Sequence, residues 1–307
     1  MLLSYSMQNI AQILGFGVVD ASVLALAAVA FTLQFGVTNY FNFGYGEWLT
    51  LGAFFAFGFN NAFFHLNVWL AMAIAGMLTA LFSFVLNRVL FTPFVARRPD
   101  TMYILIMTFG VGFLINQVIS AVWGTDYRQL NYGGDELHPI GPLQFSTNQL
   151  AFLAVSVACM AGTQLVLNYT RLGKSMRAVS DNRTLALVCG IKIDRVADAT
   201  WLMTGFMAGL AGVILAMQTH SFSTDIGDDY VYLIFPAVII GGIGRAYGAL
   251  IGGLIIGLAT AAGVLVIPAS ISPLLVFVAL VAILLLRPQG LLGGATGRGH
   301  LRHAEAA

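Results

Sequence analysis

The stretch "NFGYGEW", Asn42 to Trp48, sets the carboxylate of Glu47 in a run that is otherwise uncharged from Ala21 to Asn87. A charge at the centre of a bilayer costs at least about 2.5–3.5 kcal/mol on insertion scales. Glu47 must therefore be neutral, paired or facing water. Gly44 and Gly46 flank Tyr45 just before it. That spacing predicts an interrupted helix, with freed backbone groups beside the acid. Two compatible roles follow for Asn42, Phe43, Gly44, Tyr45, Gly46 and Glu47. They hold a helix break together, or they form a polar element of a translocation path. Asp20 is a second isolated acid in an apolar run.

Two further segments carry chemistry of a different kind. "RLGKSMRAVSDNRTLALVCGIKIDR" holds Arg171, Lys174, Arg177, Arg183, Lys192 and Arg195. Within it Asp181 and Asn182 are good helix N-caps, Leu185, Leu187 and Val188 follow, and Gly190 is placed to end the helix. This describes a short amphipathic surface helix around Arg183. One reading holds it against anionic lipid; the other makes it a knob for the groove of a soluble partner. The second segment, "GGIGRAYGALIGGLIIG", crowds glycines together. Gly241, Gly242, Gly244 and Arg245 read as a break between two helices. The glycines after Ala249 read as close helix packing.

No enzyme constellation appears. His65, His138, His220, His300 and His303 are scattered, and no P-loop is present. Cys159 and Cys189 have neither metal-ligand spacing nor a setting that favours a disulfide.

The elements that must carry these residues follow from composition. Of 307 residues 59% are hydrophobic and only 9% charged, with a mean hydropathy of +0.87; a soluble domain carries roughly 25% charge. The expected fold is an all-α, polytopic transmembrane bundle of about eight spans with broken or re-entrant helices, forming one transmembrane domain over 1–307. Spans are expected near 9–36, 39–60, 68–91, 101–123, 149–169 and 200–220, and two more between 246 and 286, split by Pro268 and Pro273. "YVYLIFPAVIIGG" is too short to cross and reads as a half-span. The N-terminus lacks the basic start of a signal peptide, so the first span is expected to remain in the mature protein.

The loops sort by charge. Residues 171–198 and the "FTPFVARRPD" loop, with Arg88, Arg97 and Arg98, are basic; 124–147 and 221–230 are acidic. The positive-inside rule puts the basic loops in the cytoplasm and the acidic ones outside. Arg287 then puts the C-terminus inside, ahead of the short polar tail "GRGHLRHAEAA".

At this point the ordered motifs resemble the branched-chain amino-acid permeases of ABC importers, the LivH-type membrane subunits. "NFGYGEW" is similar to the family's Asn-Phe-Ala-His-Gly-Glu-Phe, with Gly44 and Tyr45 in place of the usual Ala and His. The 171–195 loop resembles the family's cytoplasmic loop. "IIGGIGRAYGALIGGLIIGL" resembles its Gly-Gly-hydrophobic-Gly segment, with Arg245 and Tyr247 replacing a common Ser and Pro, and "LLLRPQGLLG" resembles its ending. The likeness covers nearly the whole chain.

The resemblance implies an inner-membrane permease subunit working by ATP-driven alternating access. Its implied partners are a second related permease, two cytoplasmic ATPases and an extracytoplasmic solute-binding protein. This chain would bind no cofactor; ATP and Mg would sit on the ATPases. Asp181, Asn182, Arg183, Leu185, Leu187 and Gly190 would couple to them. The implied cargo is a branched-chain or related amino acid, with urea, an amide or an aromatic acid as alternatives. Phe41, Phe43, Tyr45 and Trp48 make the break unusually aromatic, which points to a bulkier or planar solute. One rival reading is a stand-alone proton-coupled transporter using Asp20 and Glu47; the elaborate 171–195 loop speaks against it. An intramembrane enzyme, the other rival, would need paired catalytic groups that the two isolated acids do not supply.

Overall fold

The structure, a computed structural model, describes residues 7–97, 99–133, 136–140, 143–264, 272–287 and 290–291. Arg98, Pro268 and the C-terminal tail with His300 and His303, all noted above, lie outside them.

The chain is a helical membrane bundle. Among the described residues six helices are long and apolar enough to cross a membrane. Their full extents are α1 (Met7–Thr38), α3 (Val68–Leu86), α5 (Thr101–Trp123), α6 (Thr147–Tyr169), α9 (Ile193–Gln218) and α11 (Ala246–Gly263). Three shorter apolar helices join them: α2 (Gly46–Phe57), α10 (Ile226–Gly241) and α12 (Ser272–Leu286). Three small helices, α4 (Thr92–Ala96), α7 (Arg171–Asp181) and α8 (Arg183–Val188), lie between spans. The expectation of about eight spans is thus approximate. The second of them is shortened, because α2 starts only at Gly46.

In lipid, apolar faces gain little by leaving the solvent, so helices associate through close van der Waals packing. Small residues mark each seam. On α11, Gly253 lies on Ala25 and Gly257 on Ala21 of α1. On α9, Gly205 lies on Ser83 and Gly209 on Thr79 of α3. Helix α2 is held on α9 at two points, Gly52 against Gly209 and Leu49 against Gly212. A side chain at any of these positions would force the helices apart.

The arrangement has an inverted internal order. Long α1, an irregular segment, half-helix α2 and then α3 are followed later by long α9, an irregular segment, half-helix α10 and then α11. Helix α3 packs on α9, and α11 packs on α1. Helices α1 and α9 run antiparallel: Asp20 and Leu24 lie by Leu215 and Gln218, while Val37 and Thr38 lie by Asp194 and Ala197. The two half-helices therefore enter from opposite ends, as in transporters built from inverted repeats.

The loops gather at two ends. At the acidic end, Arg128 and Phe222 exchange backbone hydrogen bonds of 2.8 and 2.9 Å, tying the 124–147 and 221–230 loops together. A small antiparallel hairpin, β1 (Leu137–Ile140) and β2 (Leu143–Ser146), completes this end. The Asn60 side chain donates to the carbonyls of Leu66 and Asn131, at 2.8 and 3.0 Å, and accepts from the Asn131 amide at 2.7 Å. At the basic end lie α4, α7 and α8. Buried Asp198 of α9 accepts there from Asn87, at 2.9 Å, and from Arg88, at 2.6 Å.

Candidate functional site

Helix α1 ends at Thr38, and the chain then turns back into the bundle without regular structure. A short 3₁₀ turn, Phe43–Tyr45, leads directly into α2. The irregular stretch, 39–42, lies just before Gly44 and Gly46, which are themselves helical, and the two glycines have separate tasks. Gly44 faces α5: a Cβ there would lie 2.8 Å from the Thr108 carbonyl oxygen. Gly46 faces α10: a Cβ there would lie 2.8 Å from the Gly227 carbonyl oxygen. Each glycine lets one helix reach the broken backbone.

These approaches supply the partners that freed backbone needs. The Phe43 amide donates to Thr108 Oγ1 at 3.3 Å. The Gly227 amide, in the first turn of α10, donates to Thr50 Oγ1 at 3.1 Å. The N-termini of α2 and α10 thus meet inside the bundle. The positive ends of both helix dipoles point at that meeting point, which makes it favourable for negative charge.

Glu47 stands there. It is 2% exposed. One oxygen accepts from Asn116 Nδ2 of α5 at 3.1 Å, and the same amide group donates to the Thr224 carbonyl at 3.0 Å. Asn116 therefore links α5, the start of α2 and the segment leading into α10. The other carboxyl oxygen is buried without a hydrogen-bond partner among the described residues. Asp228 and Asp225 face the same carboxyl closely enough to couple to it electrostatically. Asp228 is exposed, so one face of this acidic pair reaches the surface.

The aromatic residues of the break divide. Phe43 is 42% exposed and makes edge contact with Phe235 of α10, with Phe41 beside both. Tyr45 and Trp48 are buried. The Tyr45 hydroxyl donates to the Ala27 carbonyl of α1 at 3.0 Å, its ring meets Phe31 edge-on, and Trp48 packs on Trp201. Tyr45 and Trp48 belong to the core because α1 and α9 cover them, whereas Phe41 is half-buried and Phe43 exposed. Asn42 is also buried, with both side-chain polar atoms unpartnered among the described residues.

Asp20 lies away from Glu47. It borders two small cavities at the acidic end of α1, near Gln218 and Tyr230.

At the basic end, Asn182 caps α8 by accepting from the Leu185 amide at 2.9 Å. Gly190 has φ +81, the left-handed conformation that suits a glycine ending a helix. Leu185, Leu187 and Val188 are 58%, 56% and 81% exposed. Asp181 is the last residue of α7 rather than a cap of α8. Helix α7 itself was not anticipated, although Leu172, Met176 and Val179 carry its period and Thr170 caps it through the Gly173 amide. Gly241 ends α10, Gly242 and Gly244 adopt φ of 105 and 83, and Arg245 precedes α11.

Sequence reasoning missed Thr108, Gly112, Asn116, Gly227 and Asp228. Asn116 stood out faintly as a polar residue inside an apolar span. "GD" at 227–228, opening a half-helix, echoes "GE" at 46–47.

Comparison with known proteins fits this architecture. No solved structure matches the chain. The high-affinity branched-chain amino acid transport system permease protein LivH of Escherichia coli (strain K12) is 28% identical over 290 residues, covering 90% of this chain and 93% of its own. The corresponding protein BraD of Pseudomonas aeruginosa is 26% identical, covering 90% and 94%. The ribose import permease protein RbsC of Bacillus subtilis is 34% identical over 140 residues, covering 44% and 41%. The family model described as branched-chain amino acid transport system / permease component matches residues 13–286. Because that match takes in both broken helices, the basic loop and the seams between them, the chain belongs to this family of membrane permease components.

Proposed function

We propose that the chain is one membrane subunit of an ATP-driven importer that moves branched-chain amino acids into the cytoplasm by alternating access. The observation that carries this reading is α8. A short capped helix on the basic loop presents Leu185, Leu187 and Val188 to solvent, which a self-sufficient transporter would have no use for. The basic end would face the cytoplasm, and with it the C-terminus. Asp181, Asn182, Arg183, Leu185, Leu187 and Gly190 would transmit the motion of two ATPases holding ATP and Mg. The joined acidic loops 124–147 and 221–230 would meet a solute-binding protein. A second, related permease would complete the pathway.

Within the membrane, the surface between α5 and α10 over Phe43 and Asp228 is the proposed path, with Glu47 beneath it. The Gly241–Arg245 break would let α10 move against α11. LivH and BraD are named for branched-chain amino acids, and that supports the cargo. A second reading, another small solute, draws on the aromatic cluster of exposed Phe43 with half-buried Phe41 and Phe235, which suits a planar or bulkier side chain. The test is uptake into proteoliposomes holding the chain, its second permease and the ATPases, with the binding protein outside. Leucine uptake that requires ATP supports the first reading. Uptake without ATP would overturn it, and preference for phenylalanine, lost in Phe43→Ala, would favour the second.

A further inference from the structure

Trp48, next to Glu47 at the start of α2, begins a run of touching rings that reaches the basic end. Its ring centre lies 5.8 Å from that of Trp201 on α9. Trp201 lies 4.7 Å from Phe91, and Phe91 lies 6.2 Å from Tyr40, just past the end of α1. These separations are those at which aromatic pairs attract. All four side chains are buried. A close-packed interior yields little when pushed and passes strain on.

The run ends beneath α8. A cavity of about 440 Å³ is lined by Tyr40, Thr92 and Val95 on one side and by Arg183 and Leu187 of α8 on the other. Arg183 is close enough to Tyr40 to couple to it electrostatically. Helix α8 therefore faces the last ring across open space and has room to move onto it.

Contact alone does not make a route, which needs an element with two discrete arrangements. Phe91 sits in one. Asn87–Phe91 is a single π-turn between α3 and α4, closed by the Thr92 amide donating to the Asn87 carbonyl five residues back. Such turns are rare and frequently mark functional sites. Returning to the ordinary helical pattern would turn Phe91 by about 100° around the helix axis, off Trp201. The turn is held in register from α9. Asp198, one turn before Trp201, accepts from both Asn87 and Arg88.

We propose that Tyr40, Phe91 and Trp201 are positioning residues that carry the displacement of α8 to Trp48 and Glu47 at the broken helix. This rests on the reading of α8 as the ATPase contact. The three rings lie within the core, so their role is to transmit movement rather than to bind cargo.

The test uses the complete importer, purified with its ATPases and second permease and placed in proteoliposomes with the binding protein. The quantity read is leucine moved per ATP hydrolysed. Phe91→Leu and Tyr40→Leu should assemble and hydrolyse ATP, yet move about threefold less leucine per ATP or lower, the scale on which residues along a coupling route act. Tyr40→Phe keeps the ring and should match wild type. Phe54→Leu is the control. It removes an equally buried ring from α2, one that packs on Trp123 and Phe222 at the acidic end, and should leave the ratio unchanged. A fall of the same size in Phe54→Leu, or no fall in Tyr40→Leu, would overturn the proposal and leave the rings as ordinary packing. If Phe91→Leu does not assemble, Tyr40→Leu against Tyr40→Phe decides. A wild-type complex that moves leucine without ATP would refute the importer reading itself, and the route with it.

Discussion

Adding one methyl group to α5 should loosen the broken helix at its centre. In Gly112→Ala the new Cβ would lie 2.6 Å from the Gly44 Cα. Carbon atoms attract best at roughly 3.5–4.0 Å, so α5 must retreat by about 1 Å. That retreat stretches the Asn116–Glu47 bond, now 3.1 Å, and the Phe43–Thr108 bond, now 3.3 Å, beyond hydrogen-bonding range. Overpacking costs about 1–3 kcal/mol, and leaving a buried polar group unpaired adds about 1–3 kcal/mol. Gly110→Ala provides the control on the same helix: its Cβ meets nothing within 4 Å. Thermal unfolding of the detergent-purified protein should therefore separate the two variants by several degrees, with Gly110→Ala at or above wild type. Leucine uptake should fall only in Gly112→Ala. Identical melting temperatures for both variants would refute the claim that α5 is seated on the break by glycine contact.

Glu47→Gln keeps an oxygen for Asn116 and should melt close to wild type, whereas Glu47→Leu leaves the Asn116 amide only its bond to the Thr224 carbonyl, with one N–H unpaired, and should cost about 1–3 kcal/mol; the two variants melting together would contradict this. Asp198→Ala removes the acceptor shared by Asn87 and Arg88, so it should destabilise more than Arg88→Ala, whose side chain is 64% exposed and whose loss leaves the Asn87 bond in place; thermal shift ranks them. Asn60→Ala deletes the two hydrogen bonds to Asn131 that pin the 124–133 segment, so limited proteolysis should cut that segment faster than in wild type.

How much of this was legible in the sequence depends on the range of the interactions involved. Local chemistry was readable. The apolar run 101–123 is the helix Thr101–Trp123, Asn182 caps α8 as its type demands, and Gly44 and Gly46 mark a break. What the sequence could not convey is which distant segment fills each gap. Gly46 meets Gly227, which lies far along the chain, and nothing in "NFGYGEW" indicates that the partner is a second half-helix start. For the same reason the sequence does not show what holds Tyr45. Only the position of the Ala27 carbonyl on α1 shows that its hydroxyl is engaged inside the core. The 137–146 hairpin escaped notice because two four-residue strands leave too short a pattern to read, and Pro139 argues against a strand. Helix α7 had a readable apolar period, obscured by its basic residues and by Gly173, which is needed where α7 crosses the end of α6 at Leu167.

The most direct measurement is a gentle-detergent pull-down of the tagged chain from its native membrane, with the accompanying proteins identified. If the chain is an importer subunit docked through α8, a second permease and ATPase subunits will co-purify with it. The ATPases will then be lost, and the second permease retained, when Leu185 and Leu187 are both changed to Asp. A chain that arrives alone and transports after reconstitution without ATP would contradict this directly.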